Sequence, residues 1–187
     1  MRHEMSFRIK DEDIQMLRDA GVNEAGIQHC AHVAEKALEI ARRTGVDLDM
    51  ELVGRGALFH DLGKARTHDI EHGKVGAELG QELGLPKAIT GIMEKHVRGG
   101  LTPDEAMELG LPVKDYTLAS LEEKIVIYAD RLVDIITDPR KIVATADEAE
   151  ARFEEILRQH EKYGKNEMTL RRYLGYHQEI QGLIEGH

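Results

Sequence analysis

GRGALFHDLGKARTHD, residues 54–69, decides how the rest of the chain is read. The apolar run Ala57-Leu58-Phe59 delivers directly into His60 and Asp61. If the run is helical, His60 lies three residues after Ala57 and four after Gly56, and Asp61 lies three after Leu58 and four after Ala57. That spacing turns both ionisable side chains toward the buried side. A second pair, His68-Asp69, follows in RTHDIEHG. It carries no apolar stripe and reads as a solvated loop.

Outward from this stretch, apolar residues recur at i, i+3, i+4 and i+7 while alternating β-branched runs are missing, so the chain reads as all-α. Helices are expected near 11–20, stopped by Gly21; from Asn23 to Arg43, stopped by Gly45; from Asp49 to Leu62, terminated by Gly63; and from His72 to Leu83, before Gly84. Pro86 suits the first position of a fifth, and a short one follows Thr102-Pro103. Ser120 and Glu123 form a capping box that opens a long helix to Ile136, ended by Asp138-Pro139. Two further amphipathic helices are expected, near 146–162 and near 167–184. The 187 residues suit a single domain, with 23–136 as the main unit and 140–187 as a helical hairpin packed on it.

Four more chemistry-bearing residues fall on apolar stripes. His29 leads Val33, Ala37 and Ile40; His72 leads Val75, Gly76 and Leu79; His96 follows Ile89, Ile92 and Met93; Asp130 lies between Val126 and Val133. Five helices therefore each point a His or Asp inward. A lone buried carboxylate costs several kcal/mol unless it is paired or metal-bound. Convergence on metal is the cheapest joint explanation, and a set rich in His without thiolate suits a divalent transition metal (Fe, Mn, Co, Ni or Zn) better than magnesium or calcium. Any one histidine alone is more often a hydrogen-bonded core residue. His160 and His177 also pass the stripe test and read as packing histidines, and His32 could replace His29.

Composition bounds the function. Hydrophobic residues make up 41% of the chain and aromatics 4%, and the net charge is −10. That charge argues against a nucleic-acid duplex as partner, because phosphate backbones need a basic stripe. The single cysteine, Cys30, rules out an internal disulfide and a Cys-based zinc site. No apolar run exceeds five residues, so no membrane span is expected, and the N-terminus lacks a signal-type apolar region. A cytoplasmic protein is the expectation.

The ordered pieces HCAHVA (29–34), ALFHDLGK (57–64) and YADRLVD (128–134) resemble the HD-domain metal-dependent phosphohydrolase superfamily, and HDLGK is close to its HDIG form. The resemblance spans about 29–134. It implies a compact all-helical fold and His29, His60, Asp61 and Asp130 as ligands of one metal, with His29 preferred over His32. In some members two further histidines bind a second metal, which here implies His72 and His96, with Asp61 bridging two ions. The chemistry implied is attack on phosphorus by hydroxide formed from metal-bound water. Of the cations that could hold phosphate oxygens, Lys64 is the best placed, Arg98 weaker, and Arg131 is expected to meet solvent or a salt bridge.

Three functions follow. The first is hydrolysis of a nucleotide or other small phosphate ester. The second is oxygenation by a mixed-valence di-iron centre, which a minority of the superfamily performs with the same six-ligand pattern. The third is a non-catalytic binding module. The segment 99–119 reads as an ordinary surface connection, and the C-terminal hairpin as a cover for the site or a homodimer contact.

Overall fold

The computed structural model describes residues 7–187. Among them there are eleven α-helices and no strand: α1 (Asp11–Ala20), α2 (Glu24–Arg43), α3 (Met50–Phe59), α4 (His72–Glu82), α5 (Lys87–Lys95), α6 (Pro103–Glu108), α7 (Leu121–Ile136), α8 (Ala146–Ala151), α9 (Phe153–Gln159), α10 (Glu161–Gly164) and α11 (Glu167–Glu185). The caps anticipated from sequence close several of them. Asn23 accepts from Gly26 N at the start of α2. The capping box expected at Ser120 with Glu123 is complete on α7, and a second one that the sequence reading did not name, Thr102 with Glu105, opens α6. Gly21 takes the left-handed conformation after α1.

The centre is built by α2, α3 and α7, which pack on one another. Their contact faces are small or β-branched: Val33, Ala37 and Ile40 on α2, Val53 and Ala57 on α3, Val126, Ala129 and Val133 on α7, all buried. Burying each larger aliphatic contributes roughly 1.5–3 kcal/mol, and the alanines let the helix axes approach. Helices α4 and α5 pack together on the other side of α3.

Two boundaries differ from the sequence reading. α3 ends at Phe59, and a 3₁₀ turn (Leu62–Ala65) follows His60 and Asp61. Gly63 is not a left-handed stop. It is a point of close approach, where an added Cβ would lie 1.8 Å from the His72 carbonyl oxygen and 2.8 Å from Gly76 N. The helix expected over 146–162 is three pieces, broken at Arg152 (φ −103°, ψ 15°) and at His160, which is extended. No Gly or Pro marks these breaks. The chain bends so that Ala149 and Phe153 are both buried, the Phe153 ring lying against Tyr128 and His177, while Arg152 ties Glu148, Glu155 and the Ile142 carbonyl together across the first break.

The C-terminal helix α11 packs on α7 and α9 and reaches the loop after α5. In the 99–119 segment Leu101, Ala106, Leu111 and Tyr116 form a small apolar cluster with Val97. The ion pair of Glu105 with Arg172 ties it to α11. None of the described helices is long and apolar enough to cross a membrane.

Candidate metal centre

Helix ends create the site. His60 caps α3 and His96 caps α5, positions where the last carbonyls of a helix have no partner within it. Each imidazole turns back on its own helix. His60 Nδ1–H donates to the Ala57 carbonyl oxygen at 2.5 Å and His96 Nδ1–H to that of Met93 at 2.7 Å. His72, the first residue of α4, donates from Nδ1 to the Asp69 carbonyl at 2.8 Å. A carbonyl only accepts, so each of the three rings carries a proton on Nδ1 and turns its Nε2 to the cluster. The remaining members come from within long helices: His29 from α2, and Asp130 and Asp134, one turn apart, from α7.

These atoms converge. Asp61 Oδ1 lies 3.1 Å from His96 Nε2 and 3.5 Å from His72 Nε2; Asp61 Oδ2 lies 3.2 Å from His60 Nε2 and 3.5 Å from His29 Nε2. Asp130 Oδ1 lies 3.1 Å from His29 Nε2 and 3.3 Å from His60 Nε2. One carboxylate thus faces both halves of the cluster, one oxygen to each. Three triplets bring ligand atoms within 4.8 Å of one another: His29-His60-Asp61, Asp61-His72-His96 and His29-Asp130-Asp134.

Two observations test whether a cation fits. The Nε2 atoms of His72 and His96 stand 2.8 Å apart, and both present lone pairs once their Nδ1 protons are committed. Nothing but a shared proton or a cation reconciles them. His60 Nε2, fully buried, has no satisfactory hydrogen-bond partner, a state that costs free energy unless an ion supplies the missing bond. Imidazole and carboxylate donors at this spacing suit a divalent metal.

The electrostatics agree. Burial alone would lower the His60 pKa, but the Asp61 and Asp130 charges override it and hold the ring well above the usual imidazole value. Burial would raise Asp61 and Asp130, but the neighbouring histidines hold both well below the carboxylate range. Asp134 is raised to about 6, by burial and then by the Asp130 charge. Burial pushes the Cys30 thiol up to about 12, and Cys30 belongs to none of the three triplets.

The cluster opens into a cavity of about 430 Å³ whose wall includes Lys64, Arg98, Arg131, Lys165 and Tyr173. Lys64 Nζ lies 3.1 Å from Asp61 Oδ2. Arg131 departs from expectation. Rather than meeting solvent or a carboxylate, its guanidinium stacks 4.5 Å from the Tyr173 ring centroid and faces the cavity. His68 and Asp69 also reach the cavity wall, but the Asp69 contact with His72 uses the main-chain carbonyl. His32 belongs to none of the three triplets. Sequence reasoning passed over Asp134, although its spacing of four from Asp130 on a helix was a usable signal. Lys165 and Tyr173 offered none, because only tertiary packing brings them here.

Comparison with known proteins gives three kinds of relative. The HD domain family pattern matches residues 26–133. An uncharacterised protein of Methanocaldococcus jannaschii is 41% identical over 162 residues, covering 85% of this chain and 89% of that one. A tRNA (cytidine(56)-2′-O)-methyltransferase of Picrophilus torridus is 39% identical over 129 residues, which are 68% of this chain but 37% of the methyltransferase. Among solved structures, the HD domain of the L. monocytogenes phosphodiesterase PgpH in complex with cyclic-di-AMP superposes with a TM-score of 0.57 at 18% identity, over 94% of this chain and 93% of that one. This last likeness is one of fold.

Proposed function

The chain belongs to the HD-domain family, and on that premise we propose that it is a metal-dependent phosphohydrolase acting on a nucleotide or other small phosphate ester. The observation that carries the proposal is the facing pair of imidazole lone pairs, His72 and His96, beside a carboxylate that addresses both halves of the cluster. His29, His60, Asp61 and Asp130 would hold one ion and Asp61, His72 and His96 a second. The ions, when bound, supply an acidified water and a clamp on phosphoryl oxygens. The chain's own residues do the rest. Carbonyls at the ends of α3 and α5 and before α4 fix the imidazoles in the ligating tautomer. Asp134 Oδ1, 3.8 Å from His29 Nδ1, orients that ring from the outer side. Lys64, at the cavity wall, offers its ammonium to a phosphate oxygen. The cyclic-di-AMP in the PgpH complex supports a nucleotide as the ligand class.

The test is elemental analysis of protein purified without added metal, then phosphate release from a panel of nucleotides with that metal restored. Two equivalents of metal and metal-dependent phosphate release are expected. Tightly held iron with substrate-dependent oxygen consumption and no phosphate release would replace the hydrolase with an oxygenase.

A further inference from the structure

Besides Lys64 and the ligand cluster, the cavity wall carries three further cations from separate parts of the chain: Arg98 from the loop after α5, Arg131 from α7 and Lys165 from the turn before α11. Among the described residues none of the three has a carboxylate within 4 Å. Arg131 is held by its flat face. It stacks on the buried Tyr173, and Nη2 donates to the Tyr173 hydroxyl at 3.1 Å. Its Nε is buried without a partner. An arginine fixed this way keeps edge donors for a planar or tetrahedral oxyanion.

The other two sit in backbone conformations that side chains avoid. Arg98 is left-handed (φ 50°, ψ 28°) and Lys165 has φ 63°. A loop that needed only the turn would use glycine here, as the next two positions, Gly99 and Gly100, do. Helix α11 holds the Arg98 loop in place. Arg172 Nη1 donates to the Arg98 carbonyl at 3.0 Å and the Tyr176 hydroxyl to that of Gly99 at 2.6 Å. Strained residues kept by such over-determination mark ligand sites. The three charges also feel one another: desolvation first, then Arg131 and Arg98, lower the Lys165 pKa. An anion between them would relieve that repulsion.

We propose that Arg98, Arg131 and Lys165 form a second anion subsite, for a phosphoryl group other than the one at the metal cluster, so that the preferred substrate carries two. The identity of the ligand rests on the phosphohydrolase reading; the existence of an anion site does not. The subsite also gives α11, outside the span matched by the family, a direct part in substrate choice.

The experiment is calorimetry on cold, metal-loaded protein with adenosine 3′,5′-bisphosphate and adenosine 5′-monophosphate, with phosphate release followed separately. The variants are Arg98→Gly, whose backbone suits the left-handed site, and Lys165→Gln, whose side chain is exposed. The intact protein should bind the bisphosphate at least about tenfold more tightly than the monophosphate, a difference of ~1.4 kcal/mol. Each variant should lose most of that preference, and Lys165→Gln should do so while keeping its monophosphate affinity and melting temperature. Equal affinity for both ligands in the intact protein, an unchanged preference in the variants, or an equal loss for both ligands would overturn the subsite. A preserved preference in a protein that hydrolyses neither phosphomonoesters nor phosphodiesters would leave the subsite standing and remove the hydrolase.

Discussion

Replacing Asp61 with asparagine keeps its shape and removes what makes it central. Its two oxygens address different halves of the cluster, Oδ1 toward His72 and His96 and Oδ2 toward His29, His60 and Lys64. An amide retains one oxygen and puts a donor in place of the other. Whichever way it turns, one half loses a ligand and the other loses the carboxylate charge. If each ion is present at about 100 times its dissociation constant, it stabilises the fold by roughly 2.7 kcal/mol, so two ions contribute about 5 kcal/mol. At 2–4 °C per kcal/mol for a chain of this size, the expected fall in melting temperature is on the order of 10–20 °C. In the metal-free state the same change costs less, about 1–3 kcal/mol, because His60 can release its proton and Lys64 can turn to solvent. The assay is metal content with thermal melting, each with and without chelator. Chelation should lower the intact protein by the full amount and leave Asp61→Asn almost unmoved. His68→Ala and Asp69→Ala should behave as the intact protein, since position 69 contributes only its carbonyl to His72. An Asp61→Asn protein that keeps two equivalents of metal and its chelator response would refute the bridging role. Loss of metal in the loop variants alone would transfer the site to the second His-Asp pair.

Three other outcomes are expected. His29→Ala should lose activity and metal affinity while His32→Ala retains both, measured by metal titration and phosphate release; the reverse result would exchange the two histidines. The pH dependence of stability should invert with metal. His29 and His60 have raised pKa values, so their contribution to the metal-free fold is complete below the unfolded imidazole pKa of ~6.5 and is lost as pH rises. Asp134, raised to about 6, works in the same direction, and His96, lowered, opposes it. Chelated protein should therefore melt lower at pH 8.5 than at pH 6, both roughly chosen around that imidazole pKa, whereas metal-loaded protein should melt higher, because ligation competes with protons; parallel slopes in a melting series would contradict this. Gly63→Ala places a Cβ 1.8 Å from the His72 carbonyl oxygen, so it should cost ~3 kcal/mol or more and weaken metal binding through His72; a melting temperature equal to that of the intact protein would mean that the turn and α4 are not in rigid contact.

The helices and their caps were legible in the sequence because both are local. Asn23 and Ser120 with Glu123 satisfy amides within their own first turn, and the apolar stripes record which face each helix buries. The inward His and Asp residues were legible for the same reason: an ionisable group on an apolar stripe conflicts with its surroundings, and that conflict is visible without coordinates. What the sequence could not show depends on contacts between distant elements. The break at Arg152 carries no Gly or Pro and comes from burying Ala149 and Phe153 together. Gly63 looked like a helix stop and proved to be the contact point of a turn with α4. Arg131, one position from Asp130, was directed to solvent by helical geometry alone, until α11 brought Tyr173 over its guanidinium. Tautomers, and with them the facing lone pairs of His72 and His96, follow from where helix-end carbonyls lie in space. Periodicity reports which side of an element is buried; only packing decides what stands opposite it.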